Sequence, residues 1–215
     1  MTLARRLTVY DLKAERWAGV SGAADRYLFV ADGEGRIEAP DGPVTLSAGA
    51  GAMLAADAVV TAYGTLWICE TADAREPLLD PALAEVVLSK SFTLPADAPE
   101  ALFRVDRIDL TAGARTPRHF HRGPGIRRLL YGRVRVEIGA DVVGCGPGGA
   151  WFEPGDDPVV GANVFDGDSA FLRVSLLPLD LIGGKSSFMP ASDAEAAKPR
   201  AVGQGLLHES VVALD

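Results

Sequence analysis

The sequence predicts an all-β chain built as two tandem β-barrels with a few short helices, and three observations carry that prediction. Short runs rich in β-branched and aromatic residues, such as RYLFVA at 26–31, TLWICE at 65–70 and SAFLRVSLL at 169–177, are bounded by Gly, Pro or Asp. That is the pattern of strands closed by turns. Sustained helical periodicity is nearly absent. The chain also repeats itself: RYLFVADGEGRIEA from Arg26 resembles IRRLLYGRVRVEI from Ile126, with Gly33 matching Gly132 at an offset of 99 residues.

Taken in order, residues 1–85 form a first unit with strand signals at RYLFVA, VTLSA and TLWICE. The stretch DPALAEVVLSK at 80–90 reads as a short helix within the joining segment, Pro77 to Lys90. A second unit follows over 86–190. Its GAWFEPGDDPVVGA, from Gly149, runs beside GAMLAADAVVTA, from Gly51, a second match at nearly the same offset. Residues 191–215 form a tail. In it Ser192 and Glu195 have capping-box spacing, so SDAEAAK predicts a short helix stopped by Pro199. The last segment, GLLHESVVALD, predicts a strand that covers its own barrel or a partner's.

The bulk numbers restrict the function classes. A hydrophobic content of 48% with 24 glycines in 215 residues describes a folded, turn-rich chain. The formal net charge of −8 opposes nucleic acid and anionic membrane surfaces as partners. Cys69 and Cys145 have no ligand spacing and read as reduced thiols of a cytoplasmic protein. The stretch MTLARRLTVYDLKAERW lacks the apolar h-region expected of a signal peptide, and no apolar span of 18 residues occurs in the sequence.

The chemistry concentrates in PRHFHRGPGIRRLLYG at 117–132. On a strand, His119 and His121 point to the same face, where two imidazoles can converge on one cation. Outside any further frame, such a pair is more often structural. Here Gly113 lies six residues before His119 and Gly132 eleven after His121. This frame resembles the first motif of the cupin superfamily, and Gly148, Pro154 and Asn163 resemble its second. The resemblance implies a bicupin, two jelly-roll barrels with a partly degenerate metal motif in the second. It also implies a divalent metal, Fe, Mn, Ni or Zn, held by His119 and His121. Two ligands of the pattern are absent: Gly125 stands where a glutamate is expected and Val159 where the last histidine is. Glu153, Asp156 and Asp157 are candidates to complete a two-histidine, one-carboxylate set.

A competing reading comes from seven arginines and no acidic residue between Thr111 and Val136. If position 125 faces the barrel interior, alternation puts Arg127, Leu129 and Tyr131 on the same face and turns Arg128 and Leu130 away. Arg127 would then hold a carboxylate or phosphate through paired donors, and Tyr131 would supply a proton or hydrogen bond. Arg128, Arg133 and Arg135 read instead as a solvated face balancing Glu137 and Asp141. Trp151, Phe152 and Phe171 read as core, and His208 as a surface or interface residue.

The expected function is therefore a metal-dependent enzyme, dioxygenase-like or else an isomerase or lyase, acting on a small organic anion in the second barrel. The alternative is a non-catalytic bicupin that binds or senses a small molecule without a tightly bound metal. The first unit has no histidine, and Leu28, Val30 and Met53 are its candidate apolar pocket. Cupins commonly pair, so a homodimer is expected, with a small-molecule ligand and neither nucleic acid nor membrane as partner.

Overall fold

A computed structural model describes residues 2–18, 24–38 and 42–214. Ala39 and Asp215, which end two of the stretches quoted above, lie outside them. The described chain is almost entirely antiparallel β-structure and divides into two compact units, 1–97 and 98–213. This division falls at 97/98, twelve residues beyond the 85/86 boundary read from the sequence. The reason is DPALAEVVLSK, whose second half is a strand continuous with SFTLP and not a helix. Val86, Val87 and Phe92 favour the extended chain, and pairing with the first strand decides the matter.

The first unit is one seven-stranded sheet. Its strands are β1 (Thr2–Leu12), β2 (Arg16–Ala18), β3 (Asp25–Glu38), β4 (Val44–Ser47), β5 (Gly51–Leu54), β6 (Val59–Asp73) and β7 (Ala84–Pro95). The long strands β3 and β6 serve two parts of it. The start of β3 pairs with β5 and its end with β4, with a register shift between Val30 and Asp32. Just after the shift Gly33 faces Gly64 across the ladder. A Cβ on Gly33 would sit 2.3 Å from the Tyr63 carbonyl oxygen, and its φ of +76° suits glycine. Leu28, Val30, Ile37, Val60, Leu66 and Ile68 form one core with Tyr10 and Trp17. The expected pocket wall of Leu28 and Val30 is therefore packed core, which favours the unit by about 1.5–3 kcal/mol per buried aliphatic side chain.

One polar cluster is buried in this unit. Glu70 accepts from Arg6 at 3.1 Å and Tyr10 at 3.0 Å through Oε1, and from Arg26 at 2.8 Å through Oε2. Burial, then the Glu70 charge, pushes the Tyr10 phenol up to about 12.

The second unit consists of two five-stranded sheets. Its strands are β8 (Glu100–Leu110), β9 (His119–His121), β10 (Gly125–Tyr131), β11 (Val134–Ile138), β12 (Asp141–Cys145), β13 (Ala150–Glu153), β14 (Val159–Asn163), β15 (Ser169–Leu177), β16 (Phe188–Pro190) and β17 (Val202–Ala213). One sheet runs β13-β10-β15-β8-β17, the other β12-β11-β14-β9-β16. Ile108, Leu110, Leu129 and Trp151 from the first meet Val134, Val136, Ile138 and Val159 from the second in a shared core, the jelly-roll arrangement. The final segment is strand β17 and pairs along the whole of β8, from Val202 opposite Leu110 to Ala213 opposite Glu100. The expected short helix is α1 (Asp193–Ala196), whose Ser192 side chain accepts from the Glu195 amide. No helix among the described residues is long and apolar enough to cross a membrane.

Candidate ligand site

His119 and His121 bracket β9, and both are buried. Their strand is short because Pro117 precedes it and Gly123-Pro124 follows, yet it is held on both sides. Val159 of β14 lies opposite His119, and β16 pairs Pro190 with His119 and Phe188 with His121. Alternation then turns both imidazoles inward.

The ring nitrogens form a directed network. His119 Nδ1 lies 2.8 Å from the Pro117 carbonyl oxygen, which can only accept, so this nitrogen carries the proton and Nε2 is bare. That Nε2 is 3.2 Å from His121 Nε2, which donates to it, while His121 Nδ1 is 3.3 Å from Ser187 Oγ. Burial pulls His121 down to about 4, opposed in part by Glu153, and burial also lowers His119. Both imidazoles are neutral near pH 7.

Of the three acidic candidates, only Glu153 reaches the site; Asp156 and Asp157 are exposed. Glu153 stands opposite Gly125 in the β13–β10 ladder. Its Oε1 accepts from the Trp151 indole N–H at 2.8 Å, and its Oε2 lies 3.1 Å from His121 Nε2. Burial raises the Glu153 carboxyl, but the Arg127 guanidinium and His121 outweigh it and hold the group well below the usual carboxylate range.

Arg127 does point inward, as alternation requires, and is 2% exposed. Its Nη1 donates to the Gly125 carbonyl at 2.6 Å, and its Nη2 lies 2.6 Å from Glu153 Oε2. The contact of Oε2 with Arg127 is chiefly ionic. A Cβ added to Gly125 would sit 2.6 Å from Ser175 Oγ and 2.9 Å from Arg127 Nη1. The guanidinium thus fills the space through which a glutamate at 125 would have to leave the backbone.

This arrangement does not suit a resident divalent cation. Among the described residues, no three His, Cys, Asp or Glu side chains are grouped to hold one. A cation on Glu153 Oε2, at a metal–oxygen distance of about 2.1 Å, would lie within about 5 Å of Arg127 Nη2. At an effective dielectric constant of about 20 that repulsion offsets about 3 kcal/mol, per unit of cation charge, of the attraction to Glu153.

Tyr131 is corrected. The ladder between β10 and β15 shifts register between Leu129 and Tyr131, which breaks the alternation that would have turned the ring inward. The ring is 42% exposed, and its hydroxyl accepts from Arg107 at 3.0 Å, away from the histidines. Arg128 is corrected too: it is buried, and donates to the Gly148 carbonyl at 3.1 Å. Arg135 does balance Glu137, at 2.7 Å. The motif asparagine is structural. Asn163 Nδ2 donates to the carbonyls of Thr111 and Gly167, both at 2.9 Å, and its Oδ1 accepts from Ser169 at 2.7 Å.

The histidines open onto a cavity of about 60 Å³ between the two sheets. Ile108, Leu110, Val134, Val136 and Phe171 form its apolar side, while His119, His121, Arg127, Glu153, Arg173 and Arg200 form its polar side. Arg173 is neutralised by Asp106, with Nη2 to Oδ2 at 2.6 Å, and Gln204 donates to the other Asp106 oxygen at 3.0 Å. Phe188 of β16 and, from the tail, Arg200, Val202 and Gln204 supply part of the wall. The sequence reading missed Arg173, Phe188, Arg200, Val202 and Gln204, because they lie 41 or more residues beyond the 117–132 segment and only strand pairing brings them back.

The sequence matches no protein-family model and no curated protein. Solved structures do match in fold. The chain is similar to AerE from Microcystis aeruginosa, with a TM-score of 0.55 and 14% identity over 82% of this chain and 88% of that one. It is similar to an oxalate decarboxylase from Lactobacillus farciminis in a formate complex, at 0.60 and 12% over 90% and 82%. A cupin 2 conserved barrel domain protein from Leptotrichia buccalis aligns at 0.50 and 14% over 82% and 89%. At such identities the likeness is one of fold, and the fold is that of cupin proteins.

Proposed function

We propose that the chain is a bicupin whose second barrel binds a small organic anion without a resident metal ion, the first barrel being its scaffold. The observation that carries this reading is Arg127, whose guanidinium stands beside Gly125 and 2.6 Å from Glu153 Oε2. Paired with it, Glu153 is no longer an uncompensated carboxylate for a cation, so the charge left to meet an anion must come from elsewhere in the wall.

The wall charges add to the argument. Arg127, Arg173 and Arg200 are set against two carboxylates, Glu153 and the Asp106 that pairs with Arg173. With both histidines neutral, one positive charge is left over. The apolar side of the cavity excludes water from an anion bound there, which strengthens each charged contact. His119 and His121, linked through their Nε2 atoms, can pass a proton to or from a bound molecule, so the pocket supports acid–base chemistry as well as binding.

A second reading, the metal-dependent enzyme of dioxygenase, isomerase or lyase type, is favoured by one specific observation. The two Nε2 atoms are 3.2 Å apart with each Nδ1 held by a protein group, an orientation that also suits metal ligands. Elemental analysis of the protein purified without a histidine tag separates the two. Anion binding by metal-free protein supports the first reading. A stoichiometric divalent metal lost in the double variant His119→Ala, His121→Ala supports the second and ends the first.

A further inference from the structure

We infer that the ligand is a short-chain monocarboxylate, apolar at one end, whose carboxylate is read by Arg200 at the mouth of the cavity. The inference rests on the anion-binding reading above and adds to it the ligand class and the residue that recognises it.

Three observations converge on Arg200. Its guanidinium lies over the Phe188 ring, 4.1 Å from the centroid, and Phe188 in turn stacks on His119 at 4.3 Å with planes 21° apart. This stack holds the cation against the polar side of the cavity by cation–π attraction. Its one hydrogen bond among the described residues is to Ser186 Oγ, at 3.3 Å, and no acidic side chain is in ion-pair range of it there. Arg127 and Arg173 already have carboxylates; the surplus charge is on Arg200.

The backbone is bent to place it. Ala201 has a φ of +52° and is the one non-glycine residue with positive φ among those described. Such a conformation is costly for an alanine and persists where its surroundings hold it. Arg200 and Val202, on either side of it, both line the cavity.

The rest of the ligand follows from the wall and the volume. Beyond the polar end the cavity offers Leu110, Val134, Val136 and Phe171, with no further charge to meet a second carboxylate. At about 10–15 Å³ for one water centre, the 60 Å³ interior accepts about four to six water-sized groups. A carboxylate on a branched or straight chain of about three or four carbons fits that allowance. An inorganic anion leaves the apolar end empty, and a dicarboxylate buries an unpaired charge there.

The test is a calorimetric titration of the full-length, metal-free chain with butyrate, 3-methylbutyrate, succinate, inorganic phosphate and butanamide. Butyrate and 3-methylbutyrate are expected to bind at least tenfold more tightly than succinate or phosphate, and butanamide not to bind measurably. Arg200→Gln is expected to weaken butyrate at least tenfold, and Arg200→Lys to restore part of the loss. Arg200 is exposed at the mouth, so the variants should fold, and an unchanged melting curve checks this. Phosphate or succinate binding more tightly than butyrate, or butyrate binding untouched by Arg200→Gln, overturns the inference and leaves the anion-binding reading standing. Failure of every anion to bind overturns both.

Discussion

Arg127 Nη2 lies 2.6 Å from Glu153 Oε2, and both side chains are almost wholly buried. The pair stands beside Gly125 and His121, and it decides how the pocket treats charge. Taking two ions out of water is expensive, so each depends on the other.

The first prediction follows from that dependence. Arg127→Gln leaves Glu153 as a buried carboxylate without its cation, which should cost about 3–5 kcal/mol. The same variant removes the repulsion at the histidines, so Mn²⁺ or Zn²⁺ should recover part of the lost stability. Urea denaturation with and without metal checks this. A variant as stable as the parent, or indifferent to metal, would show that the pair has no such role.

A second prediction concerns acid. His121 is pulled by burial from 6.5 to about 4, and His119 is lowered in the same direction. The unfolded chain therefore binds more protons than the folded one between about pH 6.5 and 4, and stability must fall as pH drops through that window. Glu153, held below its usual range, extends the loss to still lower pH, because its stabilisation is present above its unfolded pKa and disappears as it protonates. Denaturation midpoints measured at half-unit pH intervals should decline steadily below pH 6.5. A flat profile down to pH 4.5 is incompatible with neutral, buried imidazoles.

Much of this was legible in the sequence, for reasons that differ from residue to residue. The inward turn of His119, His121 and Arg127 followed from strand alternation, which is local. The repeat placed Gly33 and Gly132 in register, and both have positive φ, +76° and +87°. Tyr131 failed because a bulge one residue earlier changes the face, and no local pattern marks it. DPALAEVVLSK failed as a helix because pairing with β1 outweighs local propensity. Arg200 was out of reach, since its place depends on the tail crossing back to pair with β8.

The backbone at Ala201 gives a third prediction. Elsewhere Ala→Gly in a strand costs about 0.5–1 kcal/mol. At a φ of +52° the strain of the alanine is relieved, so Ala201→Gly should be neutral or stabilising by up to about 1 kcal/mol. Thermal melts against Ala170→Gly, a buried strand position, provide the comparison. Equal losses at both sites would argue against strain at Ala201.

The first unit allows a fourth. Glu70 neutralises Arg6 and Arg26 and accepts from Tyr10. Glu70→Gln keeps the shape but leaves two buried guanidiniums without their counter-charge, at a cost of about 3–5 kcal/mol. Chemical denaturation should show it, with anion binding by the folded fraction unaffected. A loss under about 1 kcal/mol would mean that solvent reaches the cluster.

The central claim, that the second barrel holds an organic anion in place of a metal, meets its most direct test in one titration. Untagged protein stripped with a chelator is titrated calorimetrically with Mn²⁺ and with Zn²⁺, before and after saturation with butyrate. The account predicts no stoichiometric metal binding in either state, and one butyrate per chain. One metal ion bound per chain at micromolar concentration, lost in His119→Ala with His121→Ala, would contradict it.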